Sequence, residues 1–335
     1  MTITYADGTS WTGTSGYADI ASSSPVGPRT PFPIASISKT FTAAVILQLV
    51  GEGVLGLDDS AVTHLPSLDL DARITVRQLL DHTSGLNDYL MRQVVDRALR
   101  ADLAAVWTEE RALSQVGKPY FNPGRGWHYS STNYVILGLL AEAVTGEPLA
   151  DLLRTRIFDP LGLRTASYQG VEPPTGPIAR AYRFTVSAPR GAATEWDDGS
   201  DVVPFTAVVT ATAGAGSIAA ASSDVARFAH AMWGGDLVPA WVLDAAVADA
   251  VRVGAMRGAL PYGLGVQAYA VDGRPALGHS GRFSGTRSVV RYLPDEGIAI
   301  AVLTNQSRVD PVVILSRLLA IASPPHRAGS GLSVD

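Results

Sequence analysis

The stretch from Phe41 to Val50 constrains the fold more than any other. Read as a helix, it carries Phe41, Val45, Leu47, Leu49 and Val50 on most of its sides instead of on one stripe. A helix that is apolar all round has to be covered all round. A chain of 335 residues with 47% hydrophobic content is large enough to supply that cover, as one domain or two. Gly51 and Gly53 end the helix.

The residues running into it, Ile34 to Thr42, include Ser36 and Lys39. Positions i and i+3 of a helix share a face, so this spacing sets an amine beside a hydroxyl. A serine becomes a nucleophile when a neighbouring base takes its proton, and burial lowers a lysine pKa toward that task. Only two of the 26 Lys and Arg residues are lysines, Lys39 and Lys118, so a lysine at this spacing stands out. The plainer alternative has Ser36 capping the helix and Lys39 reaching to solvent.

Composition excludes several classes. With a net charge of −5 and no run of basic residues, no nucleic-acid partner is expected. Zero cysteines rule out disulfides, thiolate metal sites and cysteine nucleophiles. The six histidines, at 64, 82, 128, 230, 279 and 326, never fall at i, i+4, which argues against a helical zinc pair, and no metal or cofactor is expected. Gly51 to Gly56 fits Gly-x-Gly-x-x-Gly but follows a helix instead of a strand, so it fails as a dinucleotide loop. The longest apolar runs reach about half of the ~20 residues a membrane span needs. Met1 to Gly8 has neither the basic nor the apolar region of an export signal. That leaves a secreted or periplasmic protein if the start is trimmed, and a cytoplasmic one otherwise.

Along the chain, residues 2 to 20 read as a hairpin around Asp7-Gly8. Val76 to Gly85 reads as a helix with Thr75 as N-cap and His82 as a cation near its C-terminal dipole. Tyr134 to Val144 is an apolar helix stopped by Gly146, and Val171 to Val209 a long surface excursion. A helix is expected from Val225 to Trp233 and a closing one from Pro311 to Ile321, with Pro324 to Asp335 as a frayed tail. Tyr262 to Val271, Ser288 to Leu293 and Gly297 to Leu303 read as strands. Strands at both ends with helices between imply one antiparallel sheet, residues 1–60 and 210–324, with a mainly helical lobe, 61–209, inserted. Chemistry is expected in the crevice between them.

Two further segments carry chemical candidates. Tyr129-Ser130-Ser131 precedes a helix, and a phenol beside a lysine is a plausible proton carrier for a serine. Gly278-His279-Ser280-Gly281 offers glycines that let a substrate backbone approach a strand edge and aim an N–H at an oxyanion. An ordinary hairpin turn with one surface histidine is the alternative there.

Ser36-Ile37-Ser38-Lys39, Tyr129-Ser130-Ser131 and His279-Ser280-Gly281, in that order, resemble the three motifs of the penicillin-recognising serine hydrolases: class C β-lactamases, DD-peptidases and related esterases. The likeness extends through Val76 to Leu86, Ile157 to Leu163, Tyr262 to Gly265 and Val302 to Asn305, and is greatest to secreted DD-carboxypeptidases. It implies an α+β fold of the β-lactamase/transpeptidase type. It further implies an acyl-enzyme on Ser36, with Lys39 and Tyr129 managing the proton and His279 holding a donor near Tyr129. The backbone N–H groups of Ser36 and Arg282 would form the oxyanion hole. Ser131, Ser280, Gly281, Arg282 and Tyr89 would contact substrate, with Trp127 and Trp233 as further candidates for the wall. Ser131 stands where the family usually has Asn, a shorter group with fewer donors, which implies a shift toward esters or relaxed amide hydrolysis. Met1 also falls inside the family's first strand, so a shortened start or a missing covering helix is expected. The substrate is then a D-alanyl peptide, an amide or an ester, with β-lactams as an alternative. A catalytically silent binding module on the same fold is the alternative from another class.

Overall fold

The computed structural model describes residues 1–184 and 193–323. Its centre is a six-stranded antiparallel sheet. In chain order the strands are β1 (Thr2–Thr4), β2 (Ser10–Thr12), β3 (Gln267–Val271), β4 (Arg274–Phe283), β5 (Thr286–Leu293) and β6 (Ile298–Thr304). They lie side by side as β3-β4-β5-β6-β1-β2. The two chain ends meet where β1 pairs with β6 through Thr2 opposite Ala301 and Thr4 opposite Ala299, so the expected joint sheet is present.

Strand periodicity sorts the two faces. Ile298, Ile300 and Val302 pack with Val289 against Leu315, Leu318 and Leu319 of a closing helix, α6 (Pro311–Ala322). Ala299, Ala301 and Leu303 face the main core with Val290. That core holds α1 (Ser38–Gly51) and α4 (Ser222–Gly234). Alternation at period 2 is what allows one strand to serve both layers. Helix α1 is buried along nearly its whole length, with Phe41 stacked on Phe228 of α4 at 3.6 Å between ring centroids. Burial of most of its sides is what its all-round apolar sequence requires.

Thr75 caps α2 (Val76–Leu80) as expected, its side chain accepting from Gln78 N while Gln78 reaches back in a capping box. The next long helix, α3 (Ser131–Thr145), ends at Gly146, whose φ of 75° is the left-handed cap. A helix the sequence reading lacks, α5 (Ala240–Gly254), packs beside α1.

Three expectations need correction. The segment Gly278 to Gly281 belongs to β4, the longest strand of the sheet, and is not a turn. Its glycines are there for close approach: a Cβ on Gly278 would come 2.0 Å from the Val290 carbonyl oxygen, and one on Gly281 2.2 Å from that of Ile34. The expected excursion ends in a helix, Thr206–Thr212, with Ala207, Val209 and Ala211 buried. Its middle, 185–192, and the tail, 324–335, lie outside the described residues. The His82 expectation also fails, for a reason that belongs to the site.

Candidate active site

Ser36 does not cap α1. It sits in a 3-10 turn, Ala35–Ile37, that leads into the helix, and the residue before it, Ala35, holds a φ of 49°. A non-glycine residue in that region stores backbone strain, a feature concentrated at functional sites. Across the junction, Lys39 Nζ lies 3.3 Å from Ser36 Oγ and donates to the Ala215 carbonyl at 2.9 Å. The segment supplying that carbonyl is clamped to α1: Thr42 Oγ1 donates to Gly214 O at 2.7 Å, and Ser38 Oγ accepts from Ile218 N at 3.1 Å.

Lys39 is buried, and burial pulls its pKa down to about 7, with the Asp88 carboxylate pulling the other way. Its Nζ lies 5.0 Å from the ring centroid of Tyr129 and 5.7 Å from that of Tyr134, faces that attract the ammonium form. The Tyr129 hydroxyl is buried and has no well-formed hydrogen bond among the described residues. Burial raises its pKa well above the ordinary tyrosine value, and the neighbouring Ser36 hydroxyl offsets part of that rise. Near neutral pH the pair thus consists of a lysine able to take a proton and a phenol that keeps its own.

His82 builds the wall behind Tyr129. It has a φ of 66°, and its ring packs at 4.3 Å from Tyr129 and 4.5 Å from Tyr262, centroid to centroid. The Ser130 N–H donates to its Nδ1 at 3.2 Å. Burial first, then the Lys39 charge, holds its pKa well below the ordinary value. It is a neutral packing group, not a helix-end cation. The same loop is tied to the start of α3: Thr132 Oγ1 donates to Asn87 O at 2.6 Å and Ser84 Oγ to Asn133 Oδ1 at 2.8 Å. Those bonds hold Tyr129 opposite Ser36.

His279 is placed differently from expectation. Its Nδ1 lies 2.7 Å from the Ser280 carbonyl, to which it must donate, so Nε2 accepts from the Tyr262 hydroxyl at 2.9 Å. Burial and then Lys39 push its pKa down to about 3, so it is neutral. It presents no hydrogen bond to Tyr129, whose ring centroid is 6.2 Å from its own. Its role is to brace β4.

A cleft of ≈ 1250 Å³ is lined by Ser36, Lys39, Tyr129, Ser131, His279, Ser280, Gly281 and Arg282 together. At Gly281, β4 runs so close that a Cβ would sit 3.1 Å from the Ser36 backbone nitrogen. Ser288 Oγ donates to Ile34 O at 2.8 Å and fixes the 3-10 turn to β5. Tyr89 is a correction: it is fully buried, its hydroxyl donates to the Ala211 carbonyl, and it belongs to a separate core cluster with Trp107 and Phe205. Trp233 likewise lies in the main core, and neither it nor Trp127 lines the cleft.

Asp88 is a cleft residue that the sequence reading missed, since a lone aspartate two residues past Leu86 carries no signal. Its carboxylate accepts from the backbone N–H of Leu90 at 3.2 Å and from that of Ser131. Burial raises its pKa and Lys39 draws it back. Among the described residues no group of three His, Asp or Glu side chains is placed to hold a metal ion.

Comparison with known proteins agrees with this architecture. The chain is 29% identical over 302 residues to penicillin-binding protein 4* of Bacillus subtilis (strain 168), which covers 87% of the chain and 64% of that protein. It is 37% identical over 151 residues to the D-aminopeptidase of Brucella canis, covering 45% of the chain and 29% of that protein. The chain therefore spans under two thirds of the length of these curated relatives. Among solved structures, a D-stereospecific amidohydrolase from Streptomyces sp. superposes with a TM-score of 0.75 at 27% identity, covering 94% of the chain and 92% of that structure. The D-amino acid amidase from Ochrobactrum anthropi SV3 shares the fold at a TM-score of 0.79 and 24% identity, covering 96% and 92%. The profile of the Beta-lactamase family matches residues 2–322, and the chain belongs to that family.

Proposed function

We propose that the protein is a serine hydrolase that forms an acyl-enzyme on Ser36 and cleaves amides, peptides or esters of D-amino acids. The observation that carries this reading is the Ser36–Lys39 pair: 3.3 Å apart, with the amine buried and its pKa near 7. Neutral Lys39 takes the proton as Ser36 Oγ bonds to the substrate carbonyl carbon. The resulting oxyanion is held by the Ser36 and Arg282 backbone N–H groups, beside which β4 passes at Gly281. Collapse expels the amine or alcohol, which receives a proton relayed from Lys39 with Tyr129 as donor, and water then releases the acid.

The D-configuration rests on the relatives named as a D-aminopeptidase and a D-stereospecific amidohydrolase. β-Lactams are the alternative acyl donors. Ser131 at the start of α3, in place of the family's usual Asn, favours small acyl groups and esters. The division into a sheet lobe, 1–60 and 210–324, and a helical lobe, 61–209, puts this cleft at their junction.

The test is hydrolysis of D-alanine p-nitroanilide against its L-isomer, with Ser36→Ala as the blank. A D-preference abolished in the variant is expected; equal rates on both isomers would refute the stereochemical reading. Ser131→Asn should raise the ratio of D-alanyl peptide to nitrophenyl ester turnover, and an unchanged ratio counts against the assigned role of Ser131.

A further inference from the structure

Arg291 of β5 is a charged group that the reaction scheme leaves unused. It is 5% exposed. Its hydrogen-bond acceptors among the described residues are all neutral: Val290 O at 2.8 Å from Nη1, with Ser280 Oγ at 3.0 Å and Gln267 Oε1 at 3.2 Å from Nη2. The Tyr269 ring lies 5.5 Å from the guanidinium carbon. Burying a guanidinium without a carboxylate is costly, and a sheet interior has no need of it.

The geometry gives the charge a use. Arg291 does not line the cleft, but Ser280 and Gln267 do. Because Nη2 occupies one acceptor site of Ser280 Oγ, the hydroxyl proton must point elsewhere. Within the protein it points to Gln267 Oε1 at 3.4 Å, a long contact that an arriving oxygen can replace. A fixed cation directly behind that hydroxyl makes it a stronger donor to an anion than to a neutral oxygen. Arg282, on the same strand two residues on, adds its own charge at the cleft.

We propose that Arg291, acting through Ser280, is a positioning residue that selects substrates carrying a negative group, such as a free carboxylate, on the departing side of the scissile bond. The proposal deepens the hydrolase reading and rests on it.

The test compares kcat/KM for a D-alanyl-D-alanine peptide with that for its C-terminal amide, the same bond one charge apart. Wild type, Arg291→Met and Arg291→Lys are measured, each also on a p-nitrophenyl ester. Wild type should prefer the acid. Arg291→Met should lower the acid-to-amide ratio about 10- to 100-fold, the range of a charge-assisted hydrogen bond, mainly through KM of the acid. Ester turnover should stay within about twofold, and Arg291→Lys should recover part of the ratio. The proposal is overturned if Arg291→Met leaves the ratio unchanged, or if ester turnover falls as far as turnover of the acid. Should Arg291→Met not fold, Arg291→Gln, which keeps hydrogen bonds without the charge, carries the same comparison. A wild type that acylates on the ester but shows no preference for the acid overturns the Arg291 assignment alone. A wild type that acylates on nothing overturns the hydrolase reading instead.

Discussion

Replacing Gly281 by alanine tests whether β4 is held against the nucleophile as tightly as the structure has it. The added Cβ would meet Ile34 O at 2.2 Å, Ser288 Oγ at 2.4 Å and Ser36 N at 3.1 Å. Ordinary contact begins at 3.4 Å, so β4 and the Ser36 turn must separate by close to 1.2 Å along the worst of these directions. Ile34 is two residues from Ser36 and bonded to Ser288, so the separation falls on the nucleophile, its amide and the strand edge at once. A misplacement of about 1 Å costs roughly 100-fold in rate. The strain of overpacking costs about 1–3 kcal/mol, which in a chain of this size lowers Tm by only about 1.5–4 °C. Steady-state turnover of a nitrophenyl ester and a thermal melt of the same samples separate the two effects. The reasoning is refuted if Gly281→Ala keeps wild-type kcat/KM, or if activity is lost only because the protein has unfolded at the assay temperature.

Two further predictions concern Lys39. Lys39→Met should abolish turnover yet raise Tm at neutral pH. The buried amine has a folded pKa near 7 against 10.5 for the free group, so folding at pH 7 expels a proton that the unfolded chain would keep. That penalty is fully present below the folded pKa and fades as pH rises toward 10.5, so the Tm advantage of Lys39→Met should shrink in melts taken from pH 7 to pH 10. In the wild type, ester kcat/KM should climb with pH through an apparent pKa of about 7 as Lys39 becomes neutral. Asp88→Asn removes the carboxylate that holds the Lys39 pKa up, so the same limb should move to lower pH; a shift to higher pH, or none, contradicts the coupling.

Much of this was legible in the sequence because it depends on short-range rules. All-round apolarity placed α1 in the core, and the i, i+3 spacing brought Ser36 and Lys39 together, although the helix proper starts only at Ser38. The Thr75 cap and the Gly146 stop are local chemistry and were found where expected. What was not legible depends on long-range contact. Gly278 and Gly281 weaken a strand pattern, and only the carbonyls of Val290 and Ile34, distant in sequence, explain why β4 tolerates them. His82 follows a helix, and nothing nearby in sequence foretells its burial between Tyr129 and Tyr262. His279 was rightly placed at the cleft, but its hydrogen-bond partner Tyr262 lies 17 residues away and turns the ring from the expected donor role. Tyr89 beside the cleft residue Asp88 reads as part of the site, and only tertiary packing turns it inward.

The most direct test of the central claim is the site of acylation. The protein should be mixed with a short-chain nitrophenyl ester of D-alanine, quenched in acid within the first turnovers, and examined by intact mass and peptide mapping. One D-alanyl increment is predicted on the peptide containing Ser36, with none in Ser36→Ala and none formed at a measurable rate in Lys39→Met. An adduct on any other residue, or ester turnover that survives in Ser36→Ala, would contradict the account.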